Sequence, residues 1–278
     1  MSSDIQRAEI SASPAGPIAA TLPFAHRIRR LRSFVQGWIR PVFDVRHALS
    51  FWRYATFLKD WYNYAHLEGA EPIHFVDTQP CLHDKTKYTG LDRQYFFQDI
   101  WAFRRVYESR VDSHVDVASR IEFAGMLAAI TRVTFIDLRP ALVELKGFES
   151  KKGTIVDLPY ENDSLASLSC LHVAEHIGLG RYGDPLDPHG TQKAATELRR
   201  VLAPGGKLYF SLPVGRPRVC FNAHRIHSPR QILQYFAGLD LLEFSAVDDE
   251  GRFQENVDPR RFENSRYSCG MFWFKKPD

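Results

Sequence analysis

The sequence predicts an α/β protein: a mostly parallel sheet flanked by helices, with a helical extension ahead of it. Three observations carry this reading. Short apolar strands alternate with helical stretches from Val111 to about Pro213. Acids stand at the carboxyl ends of three of those strands. The first hundred residues instead show aromatic-rich helical spacing without that alternation.

Composition sets outer limits. With 278 residues, 44% hydrophobic and 25% charged, the chain can bury one substantial core. A net charge of +3 is too small to argue for a nucleic-acid partner. The four cysteines are scattered without a C-x-x-C pair, as expected of reduced thiols in a cytoplasmic protein. No run reaches the roughly 18 apolar residues of a membrane span. Residues 1–20 read as a disordered Ser/Pro/Ala tail, without the layout of a secretory leader.

Residues 21–110 are expected to form the helical extension, serving as a substrate region or lid. Phe24, Ile28, Leu31, Val35 and Trp38 share one helical face, while Arg27, Arg29, Arg30, Arg32 and Arg40 fill the remainder. Such a helix fits two settings: packed on the main domain, or peripheral on the anionic inner face of a membrane. Gly37 and the short length favour the first. "HALSFWRYATFLKDWYNYAH" and "FFQDIWAFRRVYES" are two further helical stretches, and a turn-rich loop with a short strand separates them.

Residues 111–278 should hold the sheet. "HVDVAS", "VTFIDL", "TIVDLP", "LASLSCLHV" and "KLYFSLP" read as strands, with helices at "FAGMLAAI" and "TQKAATELRRVL". A helix from about Pro229, a following strand and the late strand "CGMFWFKK" complete the sheet. In open parallel sheets, ligands bind beyond the carboxyl ends of strands. Asp116 lies in the first strand, and Ala118-Ser119-Arg120 form the turn after it. Asp137 closes the second strand, at the spacing from which a carboxylate accepts bonds from a ribose diol. Asp157, at the end of the third expected strand, can accept from an adenine amine, with Leu158 near the base.

"HVAEH" reads as H-x-x-E-H, a zinc-peptidase spelling. Zinc would need His172 and His176 one helical turn apart, but an apolar strand runs into His172 and no third ligand is evident. No metal is expected. The rim of another active site is the better reading, because "IGLGRYGDPLDPHG" is a long turn-rich insertion on the same sheet edge.

Asp116, Asp137, "DLPYENDSLASLSCLHVAEHI" and "ATELRRVLAPGGKLYFSLP" resemble, in order and spacing, the class I S-adenosylmethionine-dependent methyltransferases. "GLGRYGDPLDP", "FNAHRIHSP", "DDEGRFQENVD" and "SCGMFWF" resemble an uncharacterised domain-of-unknown-function branch of that superfamily. The resemblance implies a Rossmann-like domain with S-adenosylmethionine as cofactor. It implies that Asp116, Ala118 and Ser119 approach the methionine and ribose, and that Asp137 holds the ribose hydroxyls, with Leu138 also against the cofactor. Asp157 and Leu158 would meet the adenine, and Cys170, Leu171 and His172 would lie against the cofactor. One departure stands out: the superfamily's glycine-rich turn is here Ala118-Ser119-Arg120. That departure motivates an alternative, a non-catalytic scaffold or binding protein that keeps the fold.

For the acceptor, the expectation is a hydroxyl, on a sugar or polysaccharide, with another small molecule as alternative. His176, Arg181, Tyr182 and Asp184 from the insertion, and Asn222, His224 and Arg225 from "CFNAHRIHSP", are the candidate rim. A hydroxyl gains from a base that removes its proton as the methyl transfers. His176 is the first candidate and His224 the second, oriented by Glu175 or Asp184.

Overall fold

The computed structural model describes residues 51–73 and 84–278. The expected tail at 1–20 and the basic helix at 24–40 lie outside the described residues, as does much of the loop expected after Ile73. The described chain divides into two compact units, with the break between Thr89 and Gly90. In the first unit, helix α1 (Phe51–Ala65) realises one of the predicted helical stretches. No helix among the described residues is long and apolar enough to cross a membrane.

The second unit opens with helix α2 (Arg93–Ser109). The Asp92 carboxylate starts it by accepting from the backbone amides of Gln94 and Tyr95. Its buried face is Gln98, Trp101, Ala102 and Val106, the spacing expected of one helical stripe. The sequence reading assigned this helix to the extension. Its burial and contacts instead make it part of the sheet's own body.

Eight strands form the sheet, whose order is β3-β2-β1-β4-β5-β10-β8-β9. They are β1 (Ser113–Val117), β2 (Arg132–Asp137), β3 (Phe148–Lys152), β4 (Leu165–Leu171), β5 (Leu202–Val214), β8 (Asp240–Val247), β9 (Phe253–Gln254) and β10 (Ser268–Lys275). β3, β2, β1, β4 and β5 run parallel, while β10 is antiparallel to both β5 and β8. The predicted mostly parallel α/β architecture is therefore present. β1 and β4 are buried along nearly their whole length because helices cover both faces.

On one face, helix α4 (Gly190–Val201) and helix α5 (Pro229–Tyr235) lay Ala194, Leu198 and Ile232 on Leu168, Phe210, Phe244 and Phe272. Ser228 caps α5 in a reciprocal box with Gln231. On the other face, α2 and helix α3 (Ile121–Leu127) bury Trp101, Val106, Phe123 and Leu127 against Phe135, Tyr209 and Met271. A separate hairpin joins β6 (Arg218–Cys220) to β7 (His224–Ile226).

One strand differs from expectation. "TIVDLP" is not a strand: Thr154 to Asp157 is a tight turn, closed by the Asp157 amide on the Thr154 carbonyl at 3.1 Å. The third strand is the preceding Phe148–Lys152, an edge strand whose Glu149, Lys151 and Lys152 hide it from an apolar pattern.

Candidate active site

The parallel strands end on a shared edge, and the turn after β1 sits at its centre. Asp116 lies beneath this turn, fully buried, and accepts from the Ser119 amide at 3.0 Å and from the Ser169 hydroxyl. Ser169 also meets His114 Nε2 at 2.8 Å, while Nδ1 of that ring meets Ser167 at 2.7 Å. Burial pushes the Asp116 carboxyl up to about 7 and the His114 imidazole down to about 3. Asp116 therefore braces the turn from below rather than facing a ligand. Ala118 has φ 54°, a left-handed conformation that disfavours an L-residue by roughly 1–2 kcal/mol. The backbone here takes the shape a glycine would adopt, with a methyl group added.

Beside the turn lies a cleft of about 100 Å³ lined by Ala118, Ile136, Asp137, Leu138, Thr154 and Ile155, with Val173 and Ile177 opposite. Asp137 stands at the end of β2 with its carboxylate partly exposed. Oδ1 accepts from the Arg139 amide at 2.7 Å, and Oδ2 has no hydrogen-bond partner among the described residues. Asp157 and Leu158 do not line this cleft. Asp157 is exposed, and Leu158 is core, its amide pinned to Glu197 on α4 at 2.7 Å. Thr154 and Ile155 occupy the place expected of them, delivered by Gly153 after β3. Sequence reasoning missed these two because it drew the strand several residues late.

A second, polar cavity of about 370 Å³ adjoins the first and shares Ala118, His172, His176 and Tyr182 with it. Leu171 and His172 line it from the end of β4; Cys170 does not, being fully buried in the core. His172 takes a left-handed φ of 56°, which turns the chain into the single 3₁₀ turn Ala174–His176. Its ring lies between Glu175 Oε1 at 2.8 Å from Nδ1 and Cys269 Sγ at 3.3 Å from Nε2. Burial works against the imidazolium, but Cys269 and Glu175 outweigh it and hold the His172 pKa well above its ordinary value. Burial likewise opposes the Glu175 charge, yet His172 and then His176 keep that carboxyl below its usual range. Glu175 Oε2 is buried without a hydrogen-bond partner among the described residues.

His176 is tied at Nδ1 to the Ala223 carbonyl at 2.5 Å, and its Nε2 lies 3.7 Å from Glu175. His224, on β7, packs its ring on Tyr267 at 5.0 Å and makes no side-chain hydrogen bond among the described residues. Burial lowers its pKa, so the ring is neutral at neutral pH. Tyr95 and Tyr267 complete the wall, and burial raises both phenols. These two, together with Arg120 and Cys269, were missed in the sequence. Tyr95 had a local mark, the Asp92 cap that starts α2 two turns ahead of Trp101, whereas Tyr267 and Cys269 arrive from the far end of the chain.

The insertion after His176 sends Arg181 and Tyr182 to the cavity, but not every expected residue follows. Asp184 accepts from the Gly178 amide at 2.6 Å and the Tyr182 amide at 3.2 Å, so it caps the loop instead of orienting a histidine. Arg225 donates to the carbonyls of Ile177 and Asp187, and Asn222 Nδ2 reaches the Leu179 carbonyl at 3.5 Å. Neither lines the cavity; both staple the loop's neck. The Asp187 amide closes that neck on the Gly178 carbonyl at 3.0 Å. Gly178 is left-handed and Gly190 follows the loop; a Cβ on either would collide with the opposite strand of the neck. Among the described residues, no three His, Cys, Asp or Glu side chains are grouped to hold a metal ion.

The family described as "Caenorhabditis protein of unknown function, DUF268" matches residues 158–267. No curated protein matches the chain. Among solved structures, the N-methyltransferase NodS from Bradyrhizobium japonicum WM9, in complex with S-adenosyl-L-homocysteine, is 15% identical. That match covers 72% of this chain and 92% of the other at a TM-score of 0.48. Geranyl diphosphate methyltransferase in complex with SAM is 16% identical over 65% of this chain and 84% of its own, with a TM-score of 0.47. The [4+2]-cyclase SpnF is 15% identical over 64% and 80%, with a TM-score of 0.44. Likenesses of this grade span more than one chemistry, and function has to be argued from the site.

Proposed function

We propose that this protein is an S-adenosylmethionine-dependent methyltransferase that methylates a hydroxyl of a sugar or polysaccharide. The observation that supports it most is the meeting of two unlike cavities at Ala118, His172, His176 and Tyr182. The smaller one suits an adenosine: apolar Ile136, Ile155 and Ile177 make its walls, and the open Asp137 Oδ2 stands ready for a ribose hydroxyl. Ala118 keeps the turn small where the backbone must come close. When bound, the cofactor supplies an already activated sulfonium methyl. The chain's remaining task is to align the acceptor and take up one proton.

His224 is the group best suited to take that proton. It is neutral, half-buried, and free of the bonds that occupy His176. His176 then holds the wall to Ala223, and the protonated phenols of Tyr95 and Tyr267 are available as donors to the acceptor. Because burial lowers the His224 pKa, activity should persist below the pH at which a free histidine becomes charged. His224→Gln should lower kcat by about 10²–10⁴ and remove the acid limb of the pH profile. Methyl transfer followed across pH with both proteins checks this; an unaltered acid limb would pass the role to another group.

Asp137→Ala should weaken binding of S-adenosylhomocysteine by roughly 1–3 kcal/mol, read by calorimetry. A second reading is favoured by Ala118: a methyl on the approach to the ligand suits a scaffold that kept the fold and lost the donor site. The same titration separates them, since no heat of binding at millimolar ligand would favour the scaffold.

A further inference from the structure

The polar cavity makes two opposite demands on whatever enters it. The first comes from Glu175. Its carboxylate is held ionised by His172, so it can only accept hydrogen bonds, and Oε2 is buried with no donor among the described residues. Leaving a buried carboxylate oxygen unmet is unfavourable, so an occupant should bring an O–H or N–H donor to it.

The second demand comes from the arginines. Arg120 is answered by Glu122 at 3.4 Å and Asp99 at 3.9 Å. Arg181 is not: its guanidinium stacks on Tyr182 at 5.1 Å and donates one nitrogen to the Ala223 carbonyl at 3.2 Å. No carboxylate lies within ion-pair distance of it among the described residues, and its remaining donors are open at the cavity. Arg139 stacks on Tyr182 as well, at 4.8 Å, so two guanidinium groups share one aromatic ring. With Arg181 unpaired at the cavity and Arg139 on the same ring, a cationic occupant would be repelled, which disfavours an ammonium as the donor that Glu175 needs. A hydroxyl remains.

We infer that the polar cavity takes an acceptor joining a hydroxyl to an anionic oxygen group, with the hydroxyl donating to Glu175 Oε2 and the anion held by Arg181. This rests on the transferase reading for what happens to the ligand, and on the cavity alone for its charge. A planar guanidinium with free donors suits either a carboxylate or a phosphate ester. At about 370 Å³ the cavity has the size of small-molecule sites. The class is that of sugar acids and sugar phosphates.

Four pyranoses of similar shape test it on the full chain: D-glucuronate, D-glucose 6-phosphate, neutral D-glucose and cationic D-glucosamine. Their affinities are measured by ligand-observed NMR, without and with S-adenosylhomocysteine. At least one anionic sugar should bind tenfold or more tightly than glucose, and glucosamine should bind weakest; which anion wins distinguishes carboxylate from phosphate. Arg181→Gln should bring the anions down to the level of glucose, whereas Arg181→Lys should keep most of the preference. Equal affinities, no sugar binding, or a preference that survives Arg181→Gln would overturn the inference. Failure of S-adenosylhomocysteine to bind would instead strike the transferase reading, because the charge preference is measured without it.

Discussion

Glu243→Ala is expected to destabilise the protein by about 3 kcal/mol in urea unfolding. This carboxylate lies under α2, almost wholly buried, and four donors converge on it. Trp101 Nε1 reaches Oε1 at 2.8 Å and the Ser245 hydroxyl reaches it at 2.6 Å. Arg105 grips Oε2 through Nε at 2.9 Å and a terminal nitrogen at 2.7 Å. Truncation would strand an indole N–H and a hydroxyl away from water and loosen a guanidinium that is itself largely buried. Breaking a buried pair costs roughly 3–5 kcal/mol, and the lower end applies because Glu255 and Glu108 still attend Arg105. Glu255→Ala is the control: half-exposed, it should lower stability by less than about 1 kcal/mol. Equal losses for the two variants would mean that the buried carboxylate is no anchor. The effect should reach the site too, since α2 carries Tyr95 into the polar cavity.

The pH dependence of stability should invert between two single substitutions at His114 and Asp116. Asp116 has a folded pKa raised to about 7, so its contribution is fully present below its unfolded value and is lost as pH rises through 7. His114 has a folded pKa lowered to about 3, so its contribution is present above the ordinary histidine value and is lost as pH falls through 3. Between about pH 4 and 6.5 the unfolded chain carries one proton on the histidine, and the folded chain carries one on the aspartate. The counts match, and the pair leaves stability flat. Asp116→Asn removes one side of that balance, so stability should then rise with pH across this window. His114→Gln removes the other, and stability should fall. Each limb approaches about 1.4 kcal/mol per pH unit, or roughly 3 kcal/mol over the window. Unfolding free energies at three pH values for parent and variants, compared as differences, check this; two slopes of the same sign would refute it.

How much of this was legible in the sequence depended on how local the cause was. The strands β1, β2, β4 and β5 are largely buried, and their Val, Ile, Leu and Phe residues, set between helical stretches, announce them. β3 does not, because an edge strand carries charge for reasons unrelated to the core. That one error put Asp157 and Leu158 at the cleft that Thr154 and Ile155 line. The acids at strand ends were found, but a carboxylate at a strand end can face a cleft, as Asp137 does, or brace a turn, as Asp116 does. Only the fold decides between them. Arg181, Tyr182, His176 and His224 were found as candidates because loops after parallel strands gather at one edge. The tie on His176 was not legible: it is the Ala223 carbonyl, brought there by the β6–β7 hairpin. Cys269 came from the last strand, whose place between β5 and β8 no local pattern reveals.

The closed neck of the loop after His176 separates two kinds of change. Its ends are fixed to each other through Gly178 and Asp187, and to the β6–β7 hairpin through Arg225, so strain from the segment between them is not passed on to α4. Exposed positions between them, such as Arg181 and Leu186, can thus be exchanged, whereas Asp184 and the buried Leu179 belong to the frame that holds the loop. A lineage could retune what the polar cavity accepts through Arg181, which lines that cavity alone, whereas a change at Tyr182 would reach the smaller cleft as well.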